Sequence, residues 1–103
     1  HLVEVKGVTL EDGGHALFPD APTERGVRHL RELAGAVALG HRATVFFVIQ
    51  MAEVTDFAPN DATHPAFGEA LRQAAAAGVQ AAAYTCRVTP DSIVIDRPVP
   101  VIL

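Results

Sequence analysis

The run Ala43-Thr44-Val45-Phe46-Phe47-Val48-Ile49-Gln50-Met51 decides the fold. Nearly every position is apolar and nothing alternates. This predicts a strand buried on both faces, central in its sheet and parallel to a neighbour. On its upstream side, Thr23 to Leu39 predicts a helix: Thr23 caps it, Glu24 suits its first turn and Gly40 stands just past its end. At about 100° per residue, Val27, Leu30, Ala34 and Val37 share one face, and Arg25, Arg28, His29 and Glu32 the opposite one. Downstream, Glu53 to Pro65 reads as a loop. Pro65 to Ala77 reads as a second helix, with Phe67, Ala70, Leu71, Ala74 and Ala75 at core spacing and Gly78 at its end.

Further out, Leu2 to Leu10 predicts a strand in which Val3, Val5, Val8 and Thr9 dominate and Glu4 and Lys6 alternate with them. Glu11-Asp12-Gly13-Gly14 is a turn signal, after which His15 to Phe18 pairs back as a short strand. Val79 to Val88 is a strand, Thr89-Pro90-Asp91-Ser92 a turn, and Ile93 to Asp96 its hairpin partner. Pro98 and Pro100 keep the tail out of any central position. The order β, short β, α, β, α, β, β is that of an α/β layered domain, with flanking helices packed on a mixed sheet.

The 103 residues fit one domain, and 50% hydrophobic against 19% charged residues excludes a disordered tail. The single cysteine, Cys86, excludes an internal disulfide framework and a Cys-based zinc site, and fits a reducing cytoplasm. A net charge of −4 argues against a stand-alone nucleic-acid binder, because affinity for phosphate backbones comes from excess Lys and Arg. The longest apolar run, Val45 to Ile49, is far short of the ~20 residues that span a bilayer, so no membrane partner is expected. The N-terminus has no signal-peptide pattern and enters directly on a strand, so the chain is expected to be a piece of a longer one.

Two local patterns suggest chemistry. In Glu4-Val5-Lys6, residues i and i+2 of a strand project from the same face. A carboxylate there suits a hard divalent cation such as Mg²⁺, and an ammonium beside it can orient water or phosphate and offset developing negative charge. The same spacing also describes an ordinary same-face ion pair. The second pattern is the helix face of Arg25, Arg28 and His29, flanked by Arg31, which suits phosphate contacts; it equally suits a solvated face with local pairs to Glu32. Asp20 follows the Glu-x-Lys strand rather than preceding it, and reads mainly as a turn or cap residue. His15, His29, His41 and His64 show no metal-ligand spacing, and Cys86 reads as a small core residue. The sole tyrosine, Tyr84, does not make an aromatic stacking platform.

The string Val3-Glu4-Val5-Lys6-Gly7-Val8-Thr9-Leu10, followed by Phe18-Pro19-Asp20-Ala21-Pro22-Thr23-Glu24-Arg25-Gly26-Val27-Arg28-His29-Leu30, closely resembles the sugar fermentation stimulation protein A (SfsA) family. The resemblance continues through Glu32-Leu33, Gly40-His41-Arg42-Ala43, Phe57-Ala58-Pro59 and Ala77-Gly78-Val79. It implies a two-part parent protein with an N-terminal OB-like barrel and a C-terminal domain similar to the PD-(D/E)xK restriction-endonuclease fold. Residues 1–103 would be the C-terminal nuclease-like domain, incomplete at its N-terminus, without the barrel and without the family's upstream metal-binding aspartate. The resemblance also implies DNA binding and a part in regulating sugar, notably maltose, metabolism. It places Glu4 and Lys6 on the acid-x-Lys positions, and the helix carrying Arg25, Arg28 and His29 beside them.

Three expectations follow. In the first, the parent binds DNA, with Lys6, Arg25, Arg28 and His29 facing backbone phosphates. In the second, it is a Mg²⁺-dependent endonuclease, with Glu4 as metal ligand and Lys6 orienting the water. In the third, catalysis is lost and the fold is a scaffold. The charge distribution permits the first two: residues 1–42 carry 5 basic and 6 acidic side chains, and residues 43–103 carry 3 and 6, so the deficit lies mostly away from the two patterns.

Overall fold

In chain order, a computed structural model describing residues 1–103 contains β1 (Leu2–Val8), β2 (Leu10–Asp12), β3 (His15–Phe18), α1 (Glu24–Ala38), β4 (Ala43–Ile49), β5 (Asp56–Pro59), α2 (Pro65–Ala77), β6 (Gln80–Val88) and β7 (Ile93–Val99). The apolar run forms β4, which lies between β1 and β6 and is parallel to both. β7 adds antiparallel to β6, so the main sheet has the order β1-β4-β6-β7. A second sheet has the order β2-β3-β5.

The two faces of β4 are not equivalent. Val45, Phe47 and Ile49 are fully buried, together with Leu30 and Leu33 of α1 and Phe67 and Leu71 of α2. On the other face Phe46 and Val48 are only half-buried, and Phe46 stacks on Tyr84 of β6 with ring centroids 5.2 Å apart. Burial on both faces therefore holds in full for one side only, the side that the two helices cover. The lone tyrosine is engaged within this stack.

Other elements differ from the sequence reading in physically simple ways. The single strand expected over Leu2 to Leu10 divides after Val8, because Leu10–Asp12 leaves the main sheet to pair antiparallel with β3. The expected loop from Glu53 to Pro65 contains β5. Its Pro and Asp content hides it, but burying Phe57 completely, with its ring stacked on Phe47 at 4.2 Å, holds it parallel to β3. β7 runs on to Val99 and includes Pro98, which a sheet edge tolerates because no outer partner needs its missing N–H.

Helix α1 begins where the Thr23 Oγ1 accepts the Gly26 N–H at 3.0 Å. Gly26 is also where α1 meets α2: a Cβ there would lie 2.9 Å from Thr23 Cγ2 and 3.1 Å from Phe67 Cε1. The buried residues of α1 are Gly26, Val27, Leu30 and Leu33, whereas Ala34 and Val37 are half-buried. The core stripe is therefore rotated toward Leu33 relative to the periodicity expected from sequence, and His29 is carried inward with it. No helix is long and apolar enough to cross a membrane.

Candidate functional site

β1 is an edge strand with its chemistry turned inward. Val3 and Val5 are 55% and 58% exposed, while Glu4 and Lys6, the residues between and after them, are half-buried. A strand that hides charges and exposes valines is paying a desolvation cost unless the charges find partners. They do. Lys6 Nζ lies 3.4 Å from Glu4 Oε1 and 2.9 Å from Nδ1 of His29, which α1 supplies from above the strand. The same His29 Nδ1 lies 3.0 Å from Glu4 Oε1. The side chains of Lys6 and His29 are only 13% and 16% exposed, and that of Glu4 is 35% exposed, so the carboxylate is the open corner of the triangle.

One nitrogen cannot serve both neighbours at once. An unprotonated Nδ1 accepts from the Lys6 ammonium; a protonated Nδ1 donates to the Glu4 carboxylate and faces the ammonium without a lone pair. Whether the ring proton sits on Nδ1 thus selects which partner His29 holds, while the direct Glu4–Lys6 attraction persists in both cases.

The structure gathers three of the five residues expected at a site. Glu4, Lys6 and His29 come together; Arg25 and Arg28 stay outside, exposed on α1. His29 is thereby corrected from the solvent-facing stripe to the strand-facing flank. Arg28 makes only a loose contact with Glu32, Nε to Oε1 3.8 Å, with both side chains 66% exposed. Asp20 is exposed in the turn before α1. Cys86 is buried, its thiol directed at the Ile49 carbonyl 3.2 Å away.

Two other histidines serve different contacts. His15 Nδ1 pairs with Asp56 Oδ1 at 2.7 Å across β3 and β5. That hydrogen bond, followed by the charge of Asp56, raises the His15 pKa above its ordinary value. His64 Nδ1 accepts the backbone N–H of Thr23 at 3.1 Å, tying the start of α2 to the cap of α1. Sequence spacing gave no hint of this role; the only local signal is the position of His64 directly before Pro65 at a helix start.

For a metal, the donor chemistry is limited but suitable in kind. No group of three His, Cys, Asp or Glu side chains converges. Mg²⁺ usually keeps several waters and takes only one or two protein carboxylates together with substrate phosphates. The half-open carboxylate of Glu4 fits one such position.

The family description "Sugar fermentation stimulation protein RE domain" matches residues 1–92. The sugar fermentation stimulation protein homolog of Desulfitobacterium hafniense (strain Y51) is 64% identical over 92 residues, covering 89% of this chain and 40% of that protein. The homolog of Geobacter sulfurreducens is 53% identical over 100 residues, 97% of this chain and 43% of that protein. Among solved structures, the SfsA of Pyrococcus furiosus in complex with Ca²⁺ is 31% identical with a TM-score of 0.91, over 98% of this chain and 44% of that one. The chain spans less than half the length of these relatives. With the family description covering most of its residues, this chain belongs to the sugar fermentation stimulation protein (SfsA) family.

Proposed function

We propose that this chain is the nuclease-like part, of PD-(D/E)xK type, of a cytoplasmic DNA-binding protein, and that Glu4 and Lys6 serve metal-dependent phosphodiester hydrolysis. The observation that carries this reading is the inward-facing Glu4–Lys6 pair, held by His29 on an edge strand whose Leu2, Val3 and Val5 are exposed. Structural ion pairs are normally made at the surface, at little cost and for little gain. Here two charges are drawn beneath a helix, with one carboxylate left accessible. The Pyrococcus furiosus relative is described with Ca²⁺, a hard, oxygen-seeking cation, which supports a carboxylate-based cation site here.

Glu4 would supply one ligand to Mg²⁺, which when bound offers Lewis-acid stabilisation of phosphate oxygens. Lys6 orients the attacking water or a phosphate oxygen and offsets the negative charge that develops there. His29 fixes the ammonium: by accepting at Nδ1 it limits the directions in which Lys6 can point. The remaining length of the relatives leaves room for a separate OB-like domain that adds DNA affinity.

A second reading, binding without cleavage in the regulation of sugar (maltose) metabolism, is favoured by the exposure of Arg25 and Arg28, whose guanidinium groups are free to meet backbone phosphates. One experiment separates the two. Full-length protein is incubated with duplex DNA and Mg²⁺ or Mn²⁺, with Glu4→Gln and Lys6→Ala alongside. Loss of cleavage by about 100-fold or more in both variants is expected. Cleavage that survives both sinks the hydrolytic reading. Binding that loses neither affinity nor salt slope in Arg25→Ala/Arg28→Ala sinks the second.

A further inference from the structure

A cavity of about 450 Å³ opens between the first half of α1 and the start of α2, lined by Glu24, Val27, Arg28, Arg31, His64 and Ala66. Residues of an α-helix succeed one another at about 100°, so Arg31 stands roughly 160° around α1 from His29. The cavity and the Glu4–Lys6–His29 cluster therefore occupy opposite flanks of the same helix.

The donors lining the cavity have well-defined states. Because the Thr23 N–H donates to Nδ1 of His64, that nitrogen carries a lone pair and the ring proton sits on Nε2. Neutral His64 thus keeps an N–H donor at the other end of its ring. Arg28 is held only by its long contact with exposed Glu32, and Arg31 takes part in none of the ion pairs. Two guanidinium groups at i and i+3 offer planar donor forks. Glu24 is the one carboxylate among the lining residues, leaving their net charge at +1, with Glu32 on Arg28 outside the lining, and the first turn of α2 adds no acidic residue.

The geometry points to a phosphate-binding pocket in which Arg28, Arg31 and His64 Nε2 hold a single phosphate group. The one-charge excess suits one phosphate rather than a polyphosphate. That phosphate belongs either to a nucleic-acid backbone or to free inorganic phosphate, and the pocket needs neither Glu4 nor a metal.

The test uses the full-length protein with two probes, inorganic phosphate and a short DNA duplex, and the variants Arg31→Ala and His64→Asn. Asparagine keeps an acceptor for the Thr23 N–H, and its amide N–H donors stop one bond short of the Nε2 position, so it withdraws the pocket contact and retains the cap. Thermal melts confirm that both variants fold. Arg31→Ala is expected to weaken binding roughly tenfold, and His64→Asn several-fold, consistent with losing hydrogen bonds to a charged group. Weakening of inorganic phosphate binding identifies a free-phosphate pocket. Weakening confined to the duplex, with a salt slope lower by about one for Arg31→Ala, identifies a backbone contact. If neither probe responds in either folded variant, the pocket is not a phosphate site. Cleavage by Glu4→Gln, measured in parallel, keeps this outcome separate from the fate of the hydrolytic reading.

Discussion

Lys6 Nζ lies 2.9 Å from His29 Nδ1, joining strand β1 to helix α1 across 23 residues of sequence. The contact gives a mostly buried ammonium a second partner beside Glu4, and makes the orientation of Lys6 depend on a residue that lies outside the Glu-x-Lys motif.

His29 is accordingly a positioning residue for Lys6. His29→Ala is expected to lower metal-dependent cleavage by about 10- to 100-fold, the range seen when a supporting contact behind a reactive group is lost. His29→Asn, whose Oδ1 can replace Nδ1 as acceptor, is expected to restore much of it. A merely structural role would instead show as equal losses in both variants, tracking their melting temperatures.

The junction of the two helices is a second point of sensitivity. Thr23→Ala removes the acceptor for the Gly26 N–H and is expected to cost about 1 kcal/mol. Gly26→Ala gains about 1 kcal/mol of helix propensity, yet places a Cβ against both the cap and Phe67. A net loss of about 1–2 kcal/mol is expected, the usual range for overpacking. Urea denaturation checks both, and a more stable Gly26→Ala protein would show that the helices separate freely here.

Neighbouring phenylalanines of β4 should behave unequally. Phe47 is fully buried and packs on Phe57 and Phe18, so Phe47→Ala is expected to cost about 3–5 kcal/mol. Phe46 is half-buried on the other face, so Phe46→Ala is expected to cost about half as much or less. Similar losses at the two positions, measured by chemical denaturation, would contradict the one-sided core.

The His15–Asp56 pair predicts a pH dependence of stability. Its hydrogen bond and charge raise the histidine pKa above the ordinary value of about 6.5, with Asp12 and Glu11 adding in the same direction. The folded state therefore binds the proton more tightly than the unfolded one. The stabilisation is complete below the unfolded pKa and is lost as pH rises through the higher folded value. Melting temperatures recorded from mildly acidic to mildly alkaline pH should fall across that window in the parent and fall less in Asp56→Asn. Parallel curves for the two proteins would remove the pair as the cause.

Much of the fold is legible because its signals are local. The unbroken apolar run of β4, the Thr23 cap and the glycine after each helix each follow from short-range sterics and hydrogen bonding, and they lead to the α/β order without any long-range information. The pairing of Glu4 with Lys6 on one face is likewise fixed by the two-residue period of a strand. β5 was illegible, since four residues containing Asp and Pro become a strand only once Phe57 is packed against Phe47 and a partner strand is present.

The sequence by itself determined the layered architecture, the Glu4–Lys6 pairing and the family. Tertiary structure alone decided which flank of α1 meets β1 and which meets α2. Helical periodicity fixes the angle between His29 and Arg31 but not the rotation of the helix against its neighbours. That rotation is set by burying Leu33 and by the close approach at Gly26, and it places His29 beside Lys6 and Arg31 beside His64.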